Sequence, residues 1–351
     1  MTQVYQDSTG PAAAGDAVLD VRDLSVLFPS ETGTVEAVRG VSYRLRRGEV
    51  LGIVGESGSG KSVSAMAVLG LLPESAKVDG SIRLDGRELL GLDDDAMSKI
   101  RGRQMAMVFQ DPLSALTPVY SIGTQIVEAL QIHTEISKEA ARARAIELLD
   151  MVGIPDPKRR VDAFPHEFSG GMRQRAMIAM AIANDPEVII ADEPTTALDV
   201  TVQAQILALI DRVKREFDIG VILVTHDLGV VREVADSVMV MYAGRCMEYG
   251  TASVIFSEPR HPYTWGLLES MPTIERKLAQ LVPIEGSPPS LISPPNGCPF
   301  HPRCAFRFDR CETELPLPRG EGGHLDACHL DRSSRQELRA KRAAARLGTP
   351  A

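Results

Sequence analysis

Three short segments of this 351-residue chain carry residue types whose spacing suits work on a chain of phosphates. The first, Gly55-Glu56-Ser57-Gly58-Ser59-Gly60-Lys61-Ser62, fits the pattern G-x-x-x-x-G-K-[ST]. Its glycines let backbone N–H groups turn inward onto phosphate oxygens, and the helix that follows offers its positive N-terminus. Lys61 would neutralise β- and γ-phosphate charge, and Ser62 would ligate Mg2+. The second segment, Val188-Ile189-Ile190-Ala191-Asp192-Glu193, is an apolar strand ending in two acids. It suits a Walker B strand, with Asp192 holding Mg2+ through its water shell and Glu193 orienting or polarising the attacking water. The third, Phe168-Ser169-Gly170-Gly171-Met172-Arg173-Gln174-Arg175, sets a hydroxyl and two glycines directly before a helical run, a second ready-made anion site.

These residues need elements to position them. Apolar, β-rich runs recur at Val50–Val54, Met105–Phe109, Val188–Ala191 and Val221–Thr225, with helical patterns between them at Lys138–Val152 and Thr201–Lys214. That alternation predicts an α/β fold with a largely parallel sheet, whose strand ends present ligand-binding residues. Residues 1–16 read as a flexible leader, after which the strand-like VLDVRDLSVLF opens a globular domain at about residue 17. Within the domain, about 123–185 is expected to form a helical subdomain built from Gly123–His133, Lys138–Val152 and Gly171–Asn184. From Pro283 prolines crowd the chain and four of its five cysteines appear, so 283–330 reads as a separate small module. Residues 331–351 form a basic tail that reads as a solvated or partly helical end rather than a nucleic-acid arm.

In this order and context the motifs resemble the ABC (ATP-binding cassette) ATPase family over about residues 17–275, which implies an ABC-type P-loop NTPase core that hydrolyses ATP with Mg2+. The family's signature segment has the form LSGGQ; Phe168 and Met172 depart from it, while Ser169, Gly170 and Gly171 keep the part that meets phosphate. The resemblance implies that this signature covers the γ-phosphate on the P-loop of a second ATPase subunit, identical or homologous. It assigns Gln110 to sensing Mg2+ and the nucleophilic water while linking the helical subdomain to the core. His226 holds the γ-phosphate, and Ala197-Leu198-Asp199 is the D-loop. With Glu193, Gln110 and His226 make up the expected catalytic set, acting mainly by positioning. Phe28, ending the first strand, is the candidate to stack on adenine.

The C-terminal part narrows the resemblance. Ser257-Glu258-Pro259-Arg260-His261-Pro262-Tyr263-Thr264, Gly297-Cys298-Pro299-Phe300-His301-Pro302-Arg303-Cys304 and Ala327-Cys328-His329-Leu330 look like the C-terminal extension of the dipeptide/oligopeptide importer ATPases, a group with nickel-importing members. The implied cargo is a short peptide, taken up by an extracytoplasmic binding protein and passed through two membrane permease subunits, with nickel or another small solute as the alternative. The motor's implied place is peripheral, on the cytoplasmic face of the cell membrane. Cys298, Cys304, Cys311 and Cys328 form C-x5-C-x6-C-x16-C, without the C-x-x-C pairs of an ordinary zinc ribbon. A [4Fe–4S] cluster is the first expectation, as cluster-bearing relatives imply, with Zn2+ and plain thiols as the alternatives. Cys246 reads as a buried small apolar residue.

Composition excludes other classes. With 38 Lys+Arg against 47 Asp+Glu the net charge is −9, a poor match to a polyanion, so no nucleic-acid partner is expected. No run approaches the roughly 18–20 apolar residues that cross a bilayer, and no secretory signal is visible at the N-terminus. A soluble, non-transport ABC ATPase is the less favoured reading. Its coiled-coil members insert long helices between P-loop and signature, whereas Lys61 and Ser169 here are only about a hundred residues apart.

Overall fold

The computed structural model describes residues 17–196, 198–271 and 283–346, with side chains to residue 342. The leader 1–16, Ala197 of the expected D-loop and the end of the tail lie outside these. The chain runs through β1 (Ala17–Ser30), β2 (Gly33–Arg46), β3 (Val50–Val54), α1 (Lys61–Val68), β4 (Lys77–Leu84), β5 (Arg87–Glu88), α2 (Asp94–Ser98) and β6 (Met105–Val108). Helices follow: α3 (Pro112–Ala115), α4 (Ile122–His133), α5 (Lys138–Met151), α6 (Pro157–Arg160) and α7 (Gly170–Ala181). The chain then re-enters the sheet with β7 (Val188–Asp192), α8 (Val200–Phe217), β8 (Gly220–Thr225), α9 (Leu228–Val234), β9 (Ser237–Tyr242) and β10 (Arg245–Thr251). It closes with α10 (Ala252–Ser257), α11 (Pro262–Glu269), α12 (Asp309–Thr313), β11 (Arg319–Glu321), β12 (His324–Asp326) and α13 (Arg332–Arg346).

The strands build two sheets rather than one. The larger has the order β11-β12-β10-β9-β3-β8-β7-β6, parallel from β9 to β6 and antiparallel beyond β9. A four-stranded antiparallel sheet, β2-β1-β4-β5, covers one of its faces. The expectation of a largely parallel sheet therefore holds for the centre only. The central strands read as unbroken apolar runs because both faces are buried. Their side chains alternate between two cores: Ile189, Ala191, Val221 and Leu223 pack with the helices, while Val188, Ile190, Ile222 and Val224 pack toward the antiparallel sheet.

The helices of 122–181 form where sequence patterning puts them, and serine caps set their starts. Ser121 accepts from the Thr124 N–H and Ser137 from the Ala140 N–H. One expectation changes. Residues 283–330 are not a separate module among the described residues, because β12 pairs with β10 and extends the main sheet. Cys298, Phe300, Cys311 and Ala327 share one core with Val54, Val240 and Tyr242 of the domain. A segment with so few apolar residues is buried by borrowing the domain's core. The basic tail is a docked helix in its described part: Arg335 pairs with Asp326 at 2.7 Å and Arg342 with Glu269 at 2.8 Å. No described helix is long and apolar enough to cross a membrane.

Candidate functional site

Four neighbouring parallel strands, β3, β8, β7 and β6, bring their C-terminal ends to one edge of the sheet. Open α/β sheets bind ligands at that edge. After β3 the loop Gly55–Gly60 leads into α1, whose N-terminus has no side-chain cap and so leaves its first N–H groups available. Two glycines make the bend possible. At Gly55 a Cβ would lie 2.2 Å from the Met241 carbonyl oxygen, and at Gly60, with φ of 99°, it would lie 2.3 Å from that of Ala37. Lys61 is buried at the start of α1 and donates to the carbonyls of Gly55 at 2.9 Å and Glu56 at 3.0 Å. Ser62 Oγ donates to Asp192 Oδ1 at 2.9 Å, joining the first helix to the end of β7. Ser57, Gly58 and Ser59 complete the loop, Ser59 Oγ being buried without a hydrogen-bond partner.

Glu193, directly beyond β7, collects the rest of the expected catalytic set. It has φ of 46°, in the left-handed region, a strained placement that turns its carboxylate along the strand edge. Oε2 accepts from Gln110 Nε2 at 3.2 Å and Thr196 Oγ1 at 2.9 Å, while Oε1 lies 3.1 Å from His226 Nδ1. Gln110 comes from the end of β6 and His226 from the end of β8, so three strands meet at one carboxylate. Sequence reasoning missed Thr196, whose only signal is its place three residues on, in the turn closed by its N–H on the Glu193 carbonyl.

Charge at this edge is balanced finely. Burial pushes the Glu193 carboxyl up, but hydrogen bonds with His226 and Thr196 and the nearby charges of His226 and Lys61 outweigh it. The net pKa lies below the ordinary carboxylate value, so the group is ionised at neutral pH. Asp192 shifts the other way, raised by burial and by Glu193 against the Ser62 hydrogen bond and Lys61. Lys61 is lowered by burial, with Glu193, Asp192 and Glu56 opposing. Ser62 and Asp192 fit Mg2+ chemically: they are hard oxygen donors brought together at 2.9 Å, the hydroxyl suited to ligate the ion and the carboxylate to hold its water shell.

The signature residues do not join this cluster within the chain. Ser169 caps α7 by accepting from the Met172 N–H at 3.3 Å, and Ser169 and Gly170 are exposed. Asp199, also exposed, caps α8 by accepting from Val202 N–H at 3.0 Å. Phe28 lies half-buried against the core two residues before β1 ends, not at the strand's end as expected.

Cys298, Cys304, Cys311 and Cys328 line one small cavity with His261, Phe300 and Phe306, and all four are free thiols. Burial pushes the Cys298 thiol up to about 12 and Cys328 up to about 11, and raises Cys304 as well. No group of three or more His, Cys, Asp or Glu among the described residues is arranged to hold a metal ion. Neither the expected [4Fe–4S] cluster nor the zinc alternative therefore gains support from a ligand grouping among the described residues. Cys246 is buried as expected, its thiol pushed up to about 12 by burial and Glu248.

One contact had no signal in the sequence. Arg303, immediately before Cys304, reaches the phosphate loop and pairs with both carboxylate oxygens of Glu56, 247 residues away. Tyr263 of α11 accepts the Glu56 N–H at 2.9 Å.

Comparison with known proteins follows the same division of the chain. The family described as "ABC transporter" matches residues 38–196, and "Oligopeptide/dipeptide transporter, C-terminal region" matches 247–311, which includes Tyr263 and Arg303. The chain is 50% identical over 313 residues to the oligopeptide transport ATP-binding protein OppD of Haemophilus influenzae, covering 89% of this chain and 97% of that one. It is 54% identical over 303 residues to the dipeptide transport ATP-binding protein DppD of Bacillus subtilis, covering 86% and 90%. An OppD of Mycobacterium bovis is 57% identical over 301 residues, 85% of this chain but 49% of that protein, so the chain spans about half the length of that relative. Among solved structures, the ATP-binding cassette MJ0796, a dimer in a post-hydrolysis state with ADP and Pi, superposes with a TM-score of 0.60 at 29% identity. That match covers 67% of this chain and 98% of the cassette.

Proposed function

Since the chain belongs to the ATP-binding subunits of ABC transporters, in their oligopeptide/dipeptide branch, we propose that it is the ATP-hydrolysing motor of a peptide importer. The observation that carries the ATPase part is the meeting of Gln110, Thr196 and His226 on the ionised Glu193, beside the Lys61–Ser62–Asp192 cluster. In this reading Gly55–Ser62 cradles the phosphates, and Lys61 leaves the carbonyls it now holds to take up phosphate charge. Ser62, Asp192 and Gln110 are the residues that would hold Mg2+, whose bound charge offsets that of the phosphates. Glu193 accepts a proton from the attacking water, and His226 fixes the carboxylate and the γ-phosphate in line. Phe28 offers the adenine a ring. The exposed Ser169 and Gly170 and the half-buried Gly171, with Asp199 nearby in sequence, would close the site of a second ATPase subunit, identical or homologous, as the dimeric cassette suggests.

Peptide cargo is supported by the C-terminal region and by the relatives named for peptide transport. Two membrane permease subunits would receive the motion at the cytoplasmic face of the membrane, after an extracytoplasmic binding protein delivers the peptide. The segment after Gln110 suits that contact, since Leu113, Val119 and Tyr120 are 57%, 70% and 53% exposed. Cells lacking the chain should lose uptake of labelled di- to hexapeptides and regain it with the wild type but not with Glu193→Gln. Undiminished peptide uptake overturns the peptide reading, and loss of nickel uptake instead would move the assignment to that cargo.

The four cysteines would be the ligands of a [4Fe–4S] cluster, with Zn2+ as the alternative. What supports the cluster is that all four line a common cavity, one thiolate being needed for each cluster iron. The cluster would supply cross-links to a segment poor in apolar residues. Anaerobically purified protein should be brown, with about four irons and four sulfides per chain. Cys304→Ser should lose the colour and unfold at lower temperature. Colourless, iron-free protein with unchanged stability in Cys304→Ser leaves the cysteines as plain thiols.

A further inference from the structure

We infer that Arg303 is a positioning residue for the phosphate loop, through which the C-terminal segment sets nucleotide affinity; this rests on the reading of Gly55–Ser62 as the nucleotide site. The motif leaves its second position free, yet Glu56 is held at three points. Its N–H donates to Tyr263 Oη at 2.9 Å, and its carbonyl accepts from Lys61 Nζ at 3.0 Å. Its carboxylate accepts from Arg303 Nη1 at 2.6 Å and Nη2 at 3.0 Å, a two-armed pairing with fixed orientation.

Arg303 is itself immobilised from behind. Its side chain is 4% exposed, it donates to the Glu285 carbonyl at 2.9 Å and the Ile284 carbonyl at 3.1 Å, and its guanidinium lies 5.8 Å from the Tyr242 ring centre. A planar fork held on several sides dictates where its carboxylate partner sits. When Lys61 turns to a phosphate, the Glu56 carbonyl loses its lysine contact and keeps the Ser59 N–H at 3.2 Å within the loop. Tyr263 and Arg303, both from the C-terminal part of the chain, then remain as its anchors from outside the loop. The charge matters equally. An uncompensated carboxylate on this loop would repel an incoming triphosphate, and the Arg303 guanidinium cancels it. Arg303 also lies directly before Cys304, at the rim of the cysteine-lined cavity, so the conformation of that segment reaches the nucleotide through this one pair.

The experiment measures binding of a fluorescent ATP analogue with Mg2+ by the full chain, alongside thermal unfolding. Arg303→Met is expected to raise Kd about tenfold, the order lost with one charged hydrogen-bonded partner. The double variant Arg303→Met/Glu56→Gln, which also removes the opposing charge, should return to within about threefold of wild type. Should the methionine variant not fold, Arg303→Lys keeps the charge but gives up the fork and should raise Kd about threefold. Wild-type affinity in whichever single variant folds, measured where Lys61→Ala has lost binding, overturns the inference. So does a loss in Arg303→Met that the double variant leaves unrelieved, which marks a purely structural bridge. ATP binding by Lys61→Ala at the wild-type level overturns instead the reading of the loop as the nucleotide site.

Discussion

Glu193→Gln is expected to bind MgATP as the wild type does and to hydrolyse it at least about a hundredfold more slowly, since a positioned general base contributes roughly 10²–10⁴ in rate. The substitution is nearly isosteric, so the loop geometry and the hydrogen bonds from Gln110 and Thr196 can persist on the remaining carbonyl oxygen. What disappears is the ionised oxygen that accepts a proton. The carboxyl's lowered pKa means the wild type carries that oxygen at neutral pH, so none of its activity is limited by protonation there. Lys61→Ala should behave oppositely and weaken binding itself, because Lys61 is the buried cation of the loop. Steady-state hydrolysis by the assembled transporter, with single-turnover binding measured separately, divides the two effects. Near-normal turnover in Glu193→Gln would remove Glu193 from the chemistry and leave it a structural acid.

Gly170→Asp is expected to abolish ATP-driven association while leaving the isolated chain folded. Within the chain the site accepts a side chain: a Cβ at Gly170 meets only Leu198 Cδ2, at 3.8 Å. The neighbouring Gly171 does not, because a Cβ there would lie 2.7 Å from Val202 Cγ1 and would disturb the packing of α7 on α8. Any loss in Gly170→Asp therefore arises between subunits. If Ser169-Gly170-Gly171 covers a partner's γ-phosphate, a carboxylate there adds like-charge repulsion of about 4 kcal/mol at 4 Å and an effective dielectric near 20, roughly a thousandfold in association. Light scattering of the Glu193→Gln protein with its ATPase partner, with and without ATP, reads this directly. Association that survives in Gly170→Asp would place the signature outside the interface.

The chemistry was legible in the sequence wherever its residues are neighbours along the chain. Gly55–Ser62 announces itself because a phosphate loop is built from consecutive backbone N–H groups and one lysine, and Asp192-Glu193 because a strand can deliver two adjacent acids. The central strands were legible as apolar runs, since burial on both faces removes any need for polar alternation. The helices of 122–181 were legible as helical patterns with no convincing strand between them.

What failed to show was decided by contacts between distant residues. β11 and β12 have three residues each, and the pattern RGE is exposed, so neither carries a strand signature; only an open edge at β10 makes them strands. The cysteine-bearing segment looked independent because its own apolar content is low, yet it shares the core of Val54 and Tyr242, which local composition does not reveal. By itself the sequence determined the groups that can bind a nucleotide's phosphates and split a phosphoanhydride and the strands that end in them, because those properties reside in consecutive residues. Only the tertiary structure decided that Gln110, Thr196 and His226 meet on one carboxylate and that Arg303 grips Glu56. Such pairings depend on how the sheet is ordered and closed, and a separation of 247 residues leaves no periodicity from which to read them.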